Sequence, residues 1–202
     1  MPVRGKRSCS LCISFGLHVV GLAALVAGMC SPYWSRVYDE TSGAVTVYNG
    51  LFVSLDPQGN FTLTDFNQFK DAGRNDTQLY GVLALSFGIG SMFLQFFLVQ
   101  AYGFAFYNAS CGKAYNPDWL MIFSLLSGFV CITCLVLYEQ FLGRNLKQLA
   151  STNVIKMDYS RGFVIIFIAL AFVAAFFTVC DRTNNPKDDN GDSFGKKKKG
   201  KR

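Results

Sequence analysis

The chain has 202 residues, 51% of them hydrophobic and only 16% charged, with 20 Phe and a formal net charge of +6. An ordinary soluble domain carries about a quarter of its residues charged, so the composition excludes an average globular fold. Eight of the 19 basic residues lie after Cys180, in a terminal segment, so the positive balance does not point to a nucleic-acid partner.

The charges are segregated. Leu11 to Tyr33, Gln78 to Gly112, Trp119 to Tyr138 and Gly162 to Cys180 contain no Asp, Glu, Lys or Arg. Each run reaches the ~20 helical residues that cross a bilayer core, which predicts four spanning helices at about 11–33, 79–108, 119–138 and 162–180. The lipid bilayer is therefore the first expected partner. Arg4, Lys6 and Arg7 precede the first run within a short N-terminus, 1–10. The positive-inside rule puts that end in the cytoplasm, and four spans return the C-terminus there. The first run ends at bulky Pro32-Tyr33-Trp34 instead of small residues, so it reads as a retained helix and not a cleaved signal.

In the first helix Ser14, His18, Gly21, Leu25 and Gly28 recur at spacings of three and four, a small and polar face suited to helix packing in lipid. His18 is the only histidine, so no two-histidine metal site exists. It reads either as a hydrogen-bonded bundle residue or as a pH-sensing one.

The first outer loop, 34–78, is rich in Val, Thr, Tyr and Phe from Ala44 to Leu55, with Thr41-Ser42-Gly43 as turn residues between two strand-like pieces. Trp34 suits a lipid–water interface and would also pin a sheet to the helix ends. Asn49-Gly50 is a preferred hairpin pair, so Gly50 is explicable by turn geometry alone. Asn60-Phe61-Thr62 and Asn75-Asp76-Thr77 are glycosylation sequons on this loop, whereas Asn108-Ala109-Ser110 falls at the cytoplasmic end of the second helix. The loop carries six acids against three basic residues, which would draw cations into a narrow cleft.

The second helix presents Gly81, Ala84, Gly88, Ser91 and Gln95 on one side. Depth counting puts Gln95 level with His18, so the two are expected to share a hydrogen bond. A short inner loop, Cys111 to Asp118, makes the next helix its antiparallel neighbour. That helix carries Ser124, Ser127, Cys131 and Cys134 on one side. Cys9-Ser10-Leu11-Cys12 and Cys131-Ile132-Thr133-Cys134 share the C-x-x-C spacing, but the two pairs fall at different depths and cannot meet around zinc. No metal or cofactor is expected. Cys9, Cys12, Cys111 and Cys180 lie near the cytoplasmic interface and read either as palmitoylation sites or as inert thiols.

The second outer loop, 139–161, begins as an extension of the third helix, and Asn153 to Tyr159 alternates as a further strand for the first-loop sheet. After the fourth helix, 182–202 is an Asn, Asp, Lys and Gly segment that cannot bury a core, expected to be a disordered basic cytoplasmic tail. Its Lys196 to Lys199 run is either simply solvated or drawn to anionic lipid. Phosphate-binding glycine loops, nucleophile elbows and His-Glu-x-x-His are missing and no acid interrupts the spans, so no enzyme is expected.

Trp34 with Asn49, Gly50, Leu51 and Phe52 resembles the Trp…Gly-Leu-Trp signature of the first extracellular loop of claudins. The same signature recurs in peripheral myelin protein and the calcium-channel gamma subunits, and Phe52 here stands for its last aromatic. Tyr159-Ser160-Arg161-Gly162-Phe163 is similar to the same group at the entry to the last helix. The signature normally brings two loop cysteines, but between Ser31 and Ile122 the only cysteine is Cys111. The resemblance implies a mainly α membrane protein: a left-handed bundle of four transmembrane helices, residues 11–181, capped outside by a small antiparallel sheet from both outer loops. It also implies a plasma-membrane glycoprotein with lateral or trans protein partners. Two functions follow from it: cell–cell junction, adhesion or paracellular barrier work, or service as an auxiliary gamma-like subunit of a channel or receptor.

Overall fold

Four stretches without interior proline fold as helices in the computed structural model, which describes residues 3–4, 9–39, 41–66, 73, 75–111, 114–146 and 153–184. These are α1 (Cys9–Cys30), α2 (Asn75–Ser110), α3 (Pro117–Leu146) and α4 (Ser160–Asn184). Two prolines mark helix ends, and Pro57 lies in the turn between two strands. Pro117 takes the first position of α3, where its missing N–H costs nothing. Asn116 caps that end by accepting the Asp118 N–H at 3.1 Å. Pro32 follows two residues after α1.

All four helices are long and apolar enough to cross a membrane. α3 and α4 outrun their uncharged runs at both ends and α2 begins three residues before its own, whereas α1 stops at Cys30, short of the expected end at 33 because Pro32 breaks it. Asp76 stands in the first turn of α2 and Arg144 in the last full turns of α3, where the helix dipoles favour those signs. The two ends adjoin, and Arg144 Nη1 donates to Asp76 at 2.9 Å. α4 runs to Asn184, so the first three residues of the tail expected to be disordered over 182–202 are helical; from 185 onward the tail lies outside the described residues.

Each helix packs on two neighbours, α1 on α2 and α4, α3 on α2 and α4. The contact faces are the small-residue stripes. Ser14, His18, Gly21, Leu25 and Gly28 are all buried on α1, and Gly81, Ala84, Gly88, Ser91 and Gln95 on α2. Ser124, Ser127, Cys131 and Cys134 are buried on α3. With lipid-like side chains on the outer faces, close backbone approach and hydrogen bonds supply the packing energy. A methyl group on Gly28 would meet Val164 Cγ2 at 2.8 Å, so this glycine sets the distance between α1 and α4.

At one end of the bundle lies a five-stranded antiparallel sheet in the order β5-β4-β3-β2-β7. Its strands are β2 (Ser35–Asp39), β3 (Val45–Asn49), β4 (Val53–Leu55), β5 (Phe61–Leu63) and β7 (Asn153–Met157). β7, from the second loop, pairs along all of β2, with Ser35 opposite Met157 and Asp39 opposite Asn153. The opposite end holds a feature the sequence reading does not contain. β1 (Val3–Arg4) pairs with β6 (Ala114–Tyr115), tying the N-terminus to the α2–α3 connection.

Gly50 has a different role from the hairpin geometry expected of it. It is not among the glycines with positive φ, which are Gly43, Gly59 and Gly73. A Cβ there would instead run into the carbonyl oxygens of Ser31 and Val53, and meet Pro32 Cα at 2.8 Å. Backbone cannot step aside as a side chain can, so Gly50→Ala is expected to destabilise by about 1–3 kcal/mol, the cost of overpacking. Gly43→Ala pays only left-handed strain, about 1 kcal/mol, because nothing lies within 4 Å. Thermal unfolding of the purified variants checks the order; an equal loss in both would remove the close-approach role of Gly50.

Candidate functional site

The sheet joins the bundle through Trp34, which is fully buried. This corrects the interfacial-anchor reading: the ring lies inside the protein. Its Nε1 donates to the Gly28 carbonyl at 2.6 Å, in the last turn of α1, and its ring meets Tyr138 edge-on with centroids 4.8 Å apart. Its backbone N–H donates to the Asn49 carbonyl at 3.2 Å. One residue thus touches α1, α3 and β3.

Leu51 completes the joint from the other side. It is fully buried, and a methyl group on Gly88 would meet its Cδ2 at 2.6 Å. The glycine of α2 is the socket for the leucine of the loop. Asn49 contributes mainly its carbonyl, which also accepts the Tyr138 hydroxyl at 3.3 Å. Phe52 is half-buried against the same core. Trp34, Asn49, Gly50, Leu51 and Phe52 therefore come together at the helix ends as one connected unit.

The sequence places Glu139 and Arg161 at the two ends of the second outer loop, and the structure brings them together. Arg161 is 4% exposed. Its Nε donates to the Trp34 carbonyl at 2.8 Å, and its Nη1 pairs with Glu139. The guanidinium lies 5.3 Å from the Tyr138 ring centre. The same Trp34 carbonyl accepts the Asp158 N–H at 3.1 Å. A single arginine opening the last apolar run, opposite an acid closing the one before it, is the signal in the sequence that identifies this pair.

The first-loop acids also do more than line a cleft. Asp39 accepts the Thr41 N–H at 2.9 Å and the Ser42 hydroxyl at 3.2 Å, closing the β2–β3 turn. Asp56 accepts the N–H groups of Gln58 at 2.9 Å and Asn60 at 2.8 Å, closing the β4–β5 turn. Asp76 is paired with Arg144. Glu40 and Asp71 lie outside the described residues. Meanwhile Arg36 and Lys156 stand directly opposite each other on exposed positions of β2 and β7. Three of the six acids, Asp39, Asp56 and Asp76, are thus held at two turns and a helix end with their negative charges retained.

Asn60 and Asn75 are both exposed and both belong to the sheet end, Asn60 in a turn and Asn75 at the start of α2. Asn108 lies in the last turn of α2, at the other end. Cys9, Cys12 and Cys111 are exposed and Cys180 half-buried, all at that other end. Cys131 and Cys134 are buried, with Cys134 Sγ donating to the Ala84 carbonyl at 3.2 Å. Among the described residues no cluster of three His, Cys, Asp or Glu side chains could hold a metal.

Deeper in the bundle His18 and Gln95 meet. Gln95 Nε2 donates to the His18 carbonyl at 2.8 Å and lies 3.0 Å from Nδ1. An amide N–H there makes Nδ1 the acceptor, so the proton sits on Nε2, which donates to Ser124 Oγ at 2.9 Å. The chain continues from Ser124 to Tyr102 at 2.9 Å, to Thr178 at 2.7 Å and to Ser14 at 3.2 Å. Ser127 donates to Gln95 Oε1 at 3.3 Å. All four helices contribute. Tyr102 and Thr178 are missing from the sequence reading because an aromatic and a lone threonine in apolar runs give no pattern. Nearer the end, the Tyr115 hydroxyl donates to Asp181, and burial raises the tyrosine above its ordinary range.

No protein-family model matches the chain, and no curated protein matches it either.

Replacing His18 and Gln95 by Leu, singly and together, should give a coupling of about 0.5 to 1.7 kcal/mol in a double-mutant cycle of unfolding. Strict additivity would remove the energetic link between them. The turn acids give a second test. Asp39 and Asp56 are held below their usual value near 3.8, Asp39 chiefly by the Thr41 N–H and Asp56 chiefly by the Asn60 side-chain amide. A depressed folded-state value means the support is complete above pH 3.8 and disappears as pH falls through the lower folded value. Hydrogen exchange at Gln58 and Asn60 should keep its protection down to about pH 5 and lose it in stronger acid. Asp56→Asn should lose part of it already at neutral pH.

Proposed function

We propose that the chain is a multi-pass plasma-membrane protein of the claudin-like superfamily that works in cell–cell adhesion or junction organisation. In this reading the four helices form a left-handed bundle in the bilayer, both termini are cytoplasmic, and the sheet stands outside with Asn60 and Asn75 glycosylated. The observation that carries it is the joint. A surface that must hold a partner under load needs a fixed attitude to its membrane anchor, and Trp34, Leu51 and Arg161 tie this sheet to all four helices or their ends. The edge strand β5 offers the contact. Phe61 is 67% and Leu63 82% exposed on one face of a strand paired on only one side among the described residues. Exposed apolar edges of this kind are templates for another chain.

A second reading, an auxiliary subunit of a channel or receptor, draws support from a different surface. A groove of about 490 Å³ between α1 and α2 is lined wholly by apolar side chains, among them Val26, Phe52, Met92 and Phe96. A partner helix would fit such a wall.

The readings separate in cells. Expression in a non-adherent line should cause aggregation, and in an epithelial layer a rise in electrical resistance. Leu63→Glu should abolish both while surface delivery persists, because the replaced side chain is already in solvent. Glycosidase treatment should shift the wild type and leave the Asn60→Gln, Asn75→Gln double variant unmoved. If the wild type neither aggregates cells nor alters the layer, and a stoichiometric channel copurifies in mild detergent, the auxiliary reading replaces the adhesive one.

A further inference from the structure

One row of side chains crosses the whole five-stranded sheet on a single face. The strand registers link Lys156 on β7 to Arg36 on β2, Arg36 to Tyr48 on β3, Tyr48 to Leu55 on β4 and Leu55 to Phe61 on β5. Directly opposed residues of antiparallel strands share a face, so the row runs from a cationic end to an apolar one. This face looks away from the bundle. On β2 the alternate positions, Ser35 and Val37, are buried while Arg36 is exposed. Lys156 is exposed as well, and Phe61 is 67% exposed.

The cationic end is unfavourable by itself, because like charges directly opposite each other on neighbouring strands repel. Neither cation pairs with a carboxylate among the described residues. Lys156 Nζ lies over the Tyr38 ring, 4.8 Å from its centre, whereas the Arg36 guanidinium has no hydrogen bond, ion pair or ring contact among the described residues. The acids beside these strands hold backbone groups of their own: Asp158 accepts the Tyr159 N–H at 2.9 Å, and Asp39 closes its turn. An open guanidinium fork beside an ammonium group suits carboxylates from outside.

The apolar end and the symmetry of the row narrow the occupant. A two-fold axis along the row would set the cations of one copy against those of another, and an axis along the strands would set them against Leu55 and Phe61. This face is therefore a poor match for itself. A glycan acid would meet the cations and leave Leu55 and Phe61 without a partner. The row spans four strand spacings, about 19 Å, which is the reach of about six extended residues.

We propose that this face binds an extended segment of a different protein, acidic at the end over Arg36 and Lys156 and apolar at the end over Leu55 and Phe61. The inference goes beyond the adhesive reading, which uses the backbone of the β5 edge, and it is compatible with either function proposed above.

The full-length chain in nanodiscs of phosphatidylcholine, panned against a phage library of random linear heptapeptides, tests it. Enriched peptides should carry acids towards one end and apolar residues towards the other. Arg36→Glu combined with Lys156→Glu should weaken their binding at least about tenfold and enrich lysine-bearing peptides in their place. Phe61→Ser should weaken the same peptides without changing the charge preference. Arg36→Gln should leave the unfolding temperature unchanged or higher, since it relieves the like-charge contact; a fall of several degrees would overturn the site by showing that Arg36 works inside the fold. Enrichment of no acidic peptide, or equal binding by the charge-reversed variant, would also overturn it. Retention of a sulfated or sialylated glycan in place of acidic peptides would overturn a protein segment as the occupant, and chain dimers that Arg36→Glu dissociates would make a second copy the occupant instead. Cell aggregation is read separately: its absence with peptide binding intact removes the adhesive reading and supports this site alone.

Discussion

The last carbonyls of a helix have no partner within it, and at a buried helix end each must find a donor elsewhere. At the end of α1 the Gly28 carbonyl takes the Trp34 indole, and the rest of the sheet end depends on that solution. With the ring drawn down onto Gly28, the Trp34 backbone faces outward into the sheet. Its carbonyl then becomes the acceptor for Arg161 and for the Asp158 N–H that begins the return into α4. Gly50 and Gly88 are the steric complement, one admitting the backbone of Ser31 and Pro32, the other the side chain of Leu51.

Much of this architecture can be read from the chain, because its strongest signals are long. Runs without charge and stripes of small residues at spacings of three and four average over many positions, and the structure buries those stripes. The alternation in Asn153 to Met157 likewise marks a strand, and its pairing with β2 follows from having one sheet to join. The site itself is less legible. Arg161 and Glu139 stand at the two ends of the second loop, and nothing local tells a half-buried ion pair from two solvated ends; only the fold joins them and lays Arg161 over Tyr138. Trp34 is half legible: it pins the sheet to the helix end as expected, but an aromatic there suits the bilayer surface as well as the interior it occupies. The β1–β6 pairing rests on two residues a side, too few for any pattern.

The polar chain through the bundle and the joint at its end do different physical work. In hydrocarbon a hydroxyl or amide without a partner is expensive, so a connected set spanning His18, Gln95, Ser124, Tyr102 and Thr178 fixes which faces of the four helices meet. The proposed adhesive surface is then held at a set orientation by parts remote from it. A bundle that could rotate its helices would present β5 at variable angles, and a lateral partner would meet a variable wall.

The contact between the Trp34 carbonyl and Arg161 spans 127 positions of sequence, and β7 reaches β2 across a comparable distance. During synthesis the first loop therefore emerges with one flank of β2 unpaired and an acceptor unmet, and both stay so until residues 153–161 have been made. Completion of the sheet therefore reports that the chain has been made as far as the start of α4. A nascent chain stalled or cut before position 153 presents β2 with a bare flank, the form of strand that other chains and chaperones bind, so an incomplete copy differs from a finished one at this edge.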